Sequence, residues 1–140
     1  MKALSDEVRR AVLQLAIEEL KSLTSQHLKE VLEARGITVV EESDLHSLYG
    51  MTIWRKGENL SSAMIILNQE LDEEAQKRVL TVLGSILVVP SRSQRDRLGI
   101  SQFELVRRAK RVGEVPRMPG VRVFCLNQEM YRDMFQEYGA

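Results

Sequence analysis

Residues 63–67, Ala-Met-Ile-Ile-Leu, form an uninterrupted apolar run that ends at Asn68-Gln69-Glu70. Such a run is far too short to span a membrane, and its paired isoleucines favour extended backbone, so Ser62–Leu67 reads as a buried strand. A buried strand needs neighbours, and the flanking sequence offers them. Ile37–Glu41 brings β-branched residues directly after Gly36, and Gly50–Arg55 is rich in strand formers. Lys56-Gly57-Glu58-Asn59 between Gly50–Arg55 and the apolar run reads as a hairpin turn.

Helices frame these strands. Asp6–Leu23 reads as a helix with Ser5 as N-cap and Asp6 and Glu7 in its first turn, where the helix dipole favours anions. It carries one apolar stripe at Val8, Val12, Leu15 and Leu23, and a second at Leu13, Ile17 and Leu20. A helix apolar on two sides is either deeply buried or shared with a partner chain, and the second stripe motivates an expected homodimer. Gln26–Ala34 follows as a helix capped by Thr24 or Ser25 and stopped by Gly36. Asp72–Leu83 reads as a helix ended by Gly84, and Ile86–Val89 as a short buried strand closed by Pro90. The order over residues 5–90 is thus α-α-β-β-β-α-β.

The chain is formally neutral, but its charge is unevenly distributed. Residues 1–90 hold 10 Lys/Arg against 14 Asp/Glu, a net of −4. Residues 91–122 hold nine basic residues against Asp96, Glu104 and Glu114, a net of +6. Residues 123–140 return to −2. A basic block beside an acidic body is the layout of an anion-binding module, with nucleic acid the commonest anion. The alternative is a solvated surface whose arginines pair with the acidic part.

Within the basic block, Ser101-Gln102-Phe103-Glu104 has the form of a capping box and starts a helix at Gln102. Leu105, Val106, Ala109 and Val112 fall on one side of that helix. Glu104, Arg107, Arg108 and Arg111 fall on the other, with Glu104 spaced to pair with Arg108. Arg92–Leu98 can form one or two turns of a preceding helix, and Gly99 lies between the two. Pro116-Arg117-Met118-Pro119-Gly120 makes a turn, Val121–Leu126 a strand, and Asn127 caps a last helix through Tyr138.

In this order the segment resembles the small winged helix-turn-helix of excisionases and MerR-like regulators. Leu98, Gly99, Ile100 and Ser101 match that family's turn, and Gly113, Glu114, Val115 and Pro116 its Gly-x-Val-Pro step. Val121–Phe124 match its strand, and Asn127–Phe135 its closing helix. The resemblance covers about residues 91–138 and implies duplex DNA binding through Gln102, Arg107, Arg108, Lys110 and Arg111, with Arg117 and Arg122 on the wing. Arginine suits bidentate contact with phosphate or guanine, and glutamine can read adenine edges.

Other chemistry finds little footing. His27 and His46 have no second ligand at metal spacing, no Gly-rich phosphate loop occurs, and no Gly-x-Ser-x-Gly accompanies the serines. The strand order weakly resembles a restriction-endonuclease-like core, but the third strand and its polar end, Met64–Glu70, lack an acid-x-Lys pair; Asp44 and Glu70 would be the remnants of such a site. The single Cys125 fits a reducing compartment and a place in the core, and Met1–Asp6 leads straight into a charged helix, so no secretion signal is expected.

The sequence therefore predicts a cytoplasmic α+β protein with N-terminal helices and a three- to four-stranded α/β body over 1–90. A winged helix-turn-helix-like module follows over 91–140. The expected function is non-enzymatic binding of duplex DNA, as a regulator or accessory factor, by a homodimer without metal, cofactor, membrane or small-molecule ligand. The competing expectations are a protein-interaction module using the same basic face and a nuclease.

Overall fold

The computed structural model describes residues 24–88, 90–109 and 120–136. The expected helix over 6–23, with the self-association stripe Leu13, Ile17 and Leu20, lies outside them, as do Lys110, Arg111 and Arg117. The described chain is a mixed α+β fold of five α-helices and one five-stranded sheet, in strand order β1-β3-β2-β5-β4. Among the described residues no helix is long and apolar enough to cross a membrane.

Helix α1 (Ser25–Ala34) begins where Thr24 Oγ1 accepts a hydrogen bond from the His27 amide at 3.1 Å. It ends at Gly36, whose φ of +88° is the left-handed geometry that a helix terminus of this kind asks of glycine. Ile37, buried to 1%, then anchors the entry into β1 (Thr38–Glu42). β2 (Leu48–Arg55) turns through Lys56-Gly57 and a 3₁₀ turn at Leu60–Ser62 into β3 (Met64–Asn68). β2 and β3 are antiparallel, whereas β1 and β3 run parallel with Val39 opposite Ile65.

Helix α2 (Glu73–Val88) departs from the sequence expectation. Gly84 does not end it, and Ile86–Val88 are its last turn rather than a strand. Glycine in a helix interior costs about 1 kcal/mol relative to alanine. Here it makes room for a neighbour: a Cβ on Gly84 would stand 2.9 Å from Leu32 Cδ2 of α1. The unbroken apolar run belongs to a helix buried almost all round, since every residue from Val79 to Leu87 is buried between the sheet and its neighbouring helices. Periodicity cannot separate such a helix from a buried strand.

The C-terminal segment contributes α3 (Arg92–Leu98), β4 (Ile100–Ser101), α4 (Gln102–Ala109), β5 (Val121–Asn127) and α5 (Gln128–Gln136). The expected division at residue 90 crosses one continuous sheet. β5 pairs antiparallel with β2 from Arg55↔Val121 to Leu48↔Asn127, and with β4 through Ile100↔Val123 and Ser101↔Arg122. Between α3 and α4 the backbone is extended, with Gly99 at φ −89° and ψ 157°, because Ile100 and Ser101 are bound to β5 as an edge strand. The expected Asn127 cap is present: Asn127 Oδ1 accepts from the Met130 amide at 2.8 Å.

Side-chain alternation divides the sheet into two faces. Gly50, Thr52, Trp54, Ile65, Leu67, Phe124 and Leu126 point toward α2, where Thr52 Oγ1 donates to the Leu83 carbonyl at 3.4 Å and a Cβ on Gly50 would meet Leu83 and Val79. α5 closes this core with Met134, and Tyr131 stacks between Tyr49 and Phe135 at ring separations of 5.0 and 4.9 Å. The reverse face carries Val40, Met51, Ile53, Met64, Ile66, Val121, Val123 and Cys125 in adjacent register positions, and none belongs to that core.

Candidate nucleic-acid interface

The basic segment is organised by two consecutive charged residues that fold inward. Helix α3 starts at Ser91 with a reciprocal cap: Ser91 Oγ accepts from the Gln94 amide at 3.3 Å, and the Gln94 side chain accepts from the Ser91 amide at 3.0 Å. One turn later Arg95 and Asp96 are buried to 5% and 9%. Asp96 Oδ1 accepts from Trp54 Nε1 at 2.8 Å, and Oδ2 accepts from the Gly57 amide at 2.8 Å. Arg95 Nη2 donates to the Glu58 carbonyl at 2.7 Å and Nη1 to the Leu87 carbonyl at 3.5 Å. Its Nε stands 4.0 Å from Asp96 Oδ1 and makes no hydrogen bond. Burial pulls the Arg95 guanidinium below its ordinary pKa, the neighbouring Asp96 opposes that shift, and Arg92 adds to it. These contacts pin α3 to the β2–β3 turn and to the end of α2.

The pinning shapes a concavity. Gly99 lies against the indole, where a Cβ would stand 2.6 Å from Trp54 Cη2 and 3.1 Å from Arg122 Cβ. Arg122 is opposite Trp54 on β2 and Ser101 on β4. Lys56, Ser93, Asp96, Arg97, Gly99 and Arg122 together line an open depression of about 560 Å³. Three cations from three different elements therefore surround one carboxylate, and both oxygens of that carboxylate already accept hydrogen bonds from Trp54 and Gly57. Lys56 and Arg97 are exposed and Arg122 is half-buried. The arrangement can receive an anion at its rim.

The residues expected from sequence distribute as follows. Arg122 lines the concavity. Gln102 opens α4, and its Oε1 is buried without a hydrogen-bond partner. Ser101 acts as the expected N-cap of α4, with Oγ accepting from the Glu104 amide at 3.1 Å. Arg107 and Arg108 lie on α4, while Lys110, Arg111 and Arg117 are outside the described residues. Of the nine basic residues counted in the block, Arg95 is withdrawn into the interior.

Sequence reasoning missed Lys56 and Arg97, and it missed the inward turn of Arg95 and Asp96. One signal was available. The lone Trp54 sits on an expected strand, and an indole that is buried needs an acceptor for its N–H. Among the described residues no three His, Cys, Asp or Glu side chains gather as a metal-binding group. Asp44 and His46, 3.8 Å apart, are exposed in the β1–β2 loop at φ of 68° and 54°. No family model matches this chain, and no curated protein or solved structure matches it either.

Proposed function

We propose that this is a nucleic-acid-binding protein, with duplex DNA the favoured ligand and no catalytic step of its own. The observation that carries the reading is the convergence of Lys56, Arg97 and Arg122 on one depression whose carboxylate, Asp96, is held by Trp54 and Gly57. A carboxylate held by two inward donors opposes an incoming phosphate less than a free one, so the rim is net cationic where an anion would arrive. Nucleic-acid backbones present repeated phosphates, and cations fixed on a rigid sheet and a pinned helix meet them with little loss of freedom. Helix α4, whose sequence includes Arg107 and Arg108, follows directly on β4 at the same edge of the sheet. The helix-turn-helix resemblance points to the same ligand.

The test is a fluorescence-anisotropy titration of labelled duplex at two salt concentrations. The proteins compared are wild type, Lys56→Ala/Arg97→Ala/Arg122→Ala and Arg107→Ala/Arg111→Ala. Each lost phosphate contact lowers the salt slope by about 1. The triple variant is expected to bind more weakly at both salts with the shallower slope. Wild type that does not bind duplex, or folded variants that both bind like wild type, would overturn the reading.

A further inference from the structure

The cationic depression carries more positive charge than a phosphate inside a strand can use. An internal phosphodiester bears one negative charge, whereas a phosphate at a strand end is a monoester and bears about 1.5 to 2 at neutral pH. Lys56, Arg97 and Arg122 bring three positive charges to the lining, and Asp96 brings one negative charge. The weight of that carboxylate is further reduced. Its two oxygens accept from Trp54 Nε1 and the Gly57 amide, and the buried Arg95 guanidinium stands 4.0 Å from Oδ1. At least two positive charges are therefore left for an incoming group, which matches a monoester and exceeds a diester.

The layout of the cations points the same way. One strand of a duplex offers a phosphate about every 3.4 Å along the helix axis, so a surface that follows a strand needs its cations in a row. Here they come from three elements and meet on one hollow: Lys56 from the turn after β2, Arg97 from the last turn of α3, and Arg122 from β5. The backbone under each is fixed. The Lys56 amide donates to the Gly120 carbonyl at 2.6 Å, Arg122 is in register opposite Trp54, and α3 is anchored through Arg95 and Asp96. Cations held in this way are organised in advance for one compact anion. The hollow, about 560 Å³, falls within the roughly 300–1,000 Å³ of sites that take a whole small molecule. A phosphate can therefore enter together with the nucleoside that bears it. We propose that this depression binds a nucleotide's phosphate monoester presented by the end of a nucleic-acid strand, and so directs the protein to ends rather than to the middle of a duplex. The inference rests on the nucleic-acid reading above and narrows it.

The test compares three short duplexes of one sequence, each labelled at the same internal base, titrated with the full chain at about 0.15 M salt. One carries a single 5′-phosphate and one a single 3′-phosphate. The third ends in hydroxyls and is one base pair longer, so its total charge equals that of the other two. Wild type is expected to bind at least one phosphorylated duplex about fivefold or more tighter than the charge-matched one, the scale of a charge-assisted hydrogen bond. Which of the two it prefers identifies the strand end. In Lys56→Ala/Arg97→Ala/Arg122→Ala, verified as folded by circular dichroism, that ratio should fall to about one. If the triple variant binds too weakly for a ratio, Arg97→Ala and Arg122→Ala are measured singly, and each should lower the ratio. Wild type that binds all three duplexes alike would overturn the assignment to ends and leave the nucleic-acid reading standing, whereas wild type that binds none would overturn both. A ratio that persists in the folded variants would place the end site elsewhere and also overturn the proposal. Displacement of the end-phosphorylated duplex by an equimolar nucleoside 5′-monophosphate would make the free nucleotide the ligand, and strand ends would fall as its source.

Discussion

Two carboxylates each join separate segments of this fold, and they do so in opposite surroundings. Asp96 is buried, binds Trp54 and Gly57, and lies beside a buried arginine whose ion-pair partner among the described residues is Asp96 itself. Glu73 is exposed at the first turn of α2 and takes two hydrogen bonds from Ser25 at the first turn of α1. Both accept two donors of similar length, yet the same geometry carries different weight. Water can take the place of the exposed Glu73 carboxylate as acceptor for the Ser25 donors. Nothing can replace Asp96 without leaving Arg95 and the indole N–H stranded. The buried tie fixes the basic rim, and the exposed tie trims the join between two helices.

The largest effect is therefore expected at Asp96. Asp96→Ala should destabilise the fold by about 3–5 kcal/mol, because it leaves a buried guanidinium uncompensated. Urea denaturation followed by the emission of Trp54, the only tryptophan, measures this directly; a loss below about 1 kcal/mol would put the two ties on an equal footing. A middle effect is expected at Gly99. Alanine there places a Cβ 2.6 Å from the Trp54 ring, and overpacking of this kind costs about 1–3 kcal/mol. The same variant should shift Trp54 emission before unfolding, since the ring must move. Unchanged emission and stability would mean that the indole is not wedged against Gly99.

The smallest effect is expected at Glu73. Its carboxyl lies below the usual carboxylate range, chiefly because the Ser25 amide and then the Ser25 hydroxyl donate to its charged form. A depressed folded value means that the stabilisation is complete above the unfolded-state pKa and is lost as pH falls through the folded one. Glu73→Gln should thus cost less than about 1 kcal/mol at pH 7, the scale of exposed polar ties. The gap between wild type and variant should close as denaturation curves are taken down through the acid range. A gap that widened in acid would reverse the sign assigned to this contact.

The same contrast between local and distant causes explains what could be read in the sequence. The caps at Thr24, Ser101 and Asn127 and the stop at Gly36 act within a few residues, and all four were legible. Strands β1, β2 and β3 were legible from composition, with bounds shifted by one or two residues. Gly84 was misread because its reason lies on another helix, at Leu32. Arg95 was counted as surface charge because its partners, Glu58 and Leu87, come from segments that only the fold brings near. The concavity itself needs the pairing of β5 with β2, which no local pattern encodes: Arg122 becomes the neighbour of Trp54 and Lys56 only through that register.

The strand order also sets a timetable for synthesis. β5 is the last strand among the described residues, yet it lies inside the sheet, between β2 and β4. While the ribosome has delivered only the residues before Val121, β2 keeps one row of amide and carbonyl groups open, and β4 has no strand to join. An open row of that kind recruits any extended chain it meets, including another nascent copy. The docking of residues 121–127 is accordingly the longest-range strand pairing that β2 must wait for, and the expected slow step of folding. The basic rim that depends on Arg122 forms at the same moment, so the nascent protein carries its cations long before it can gather them.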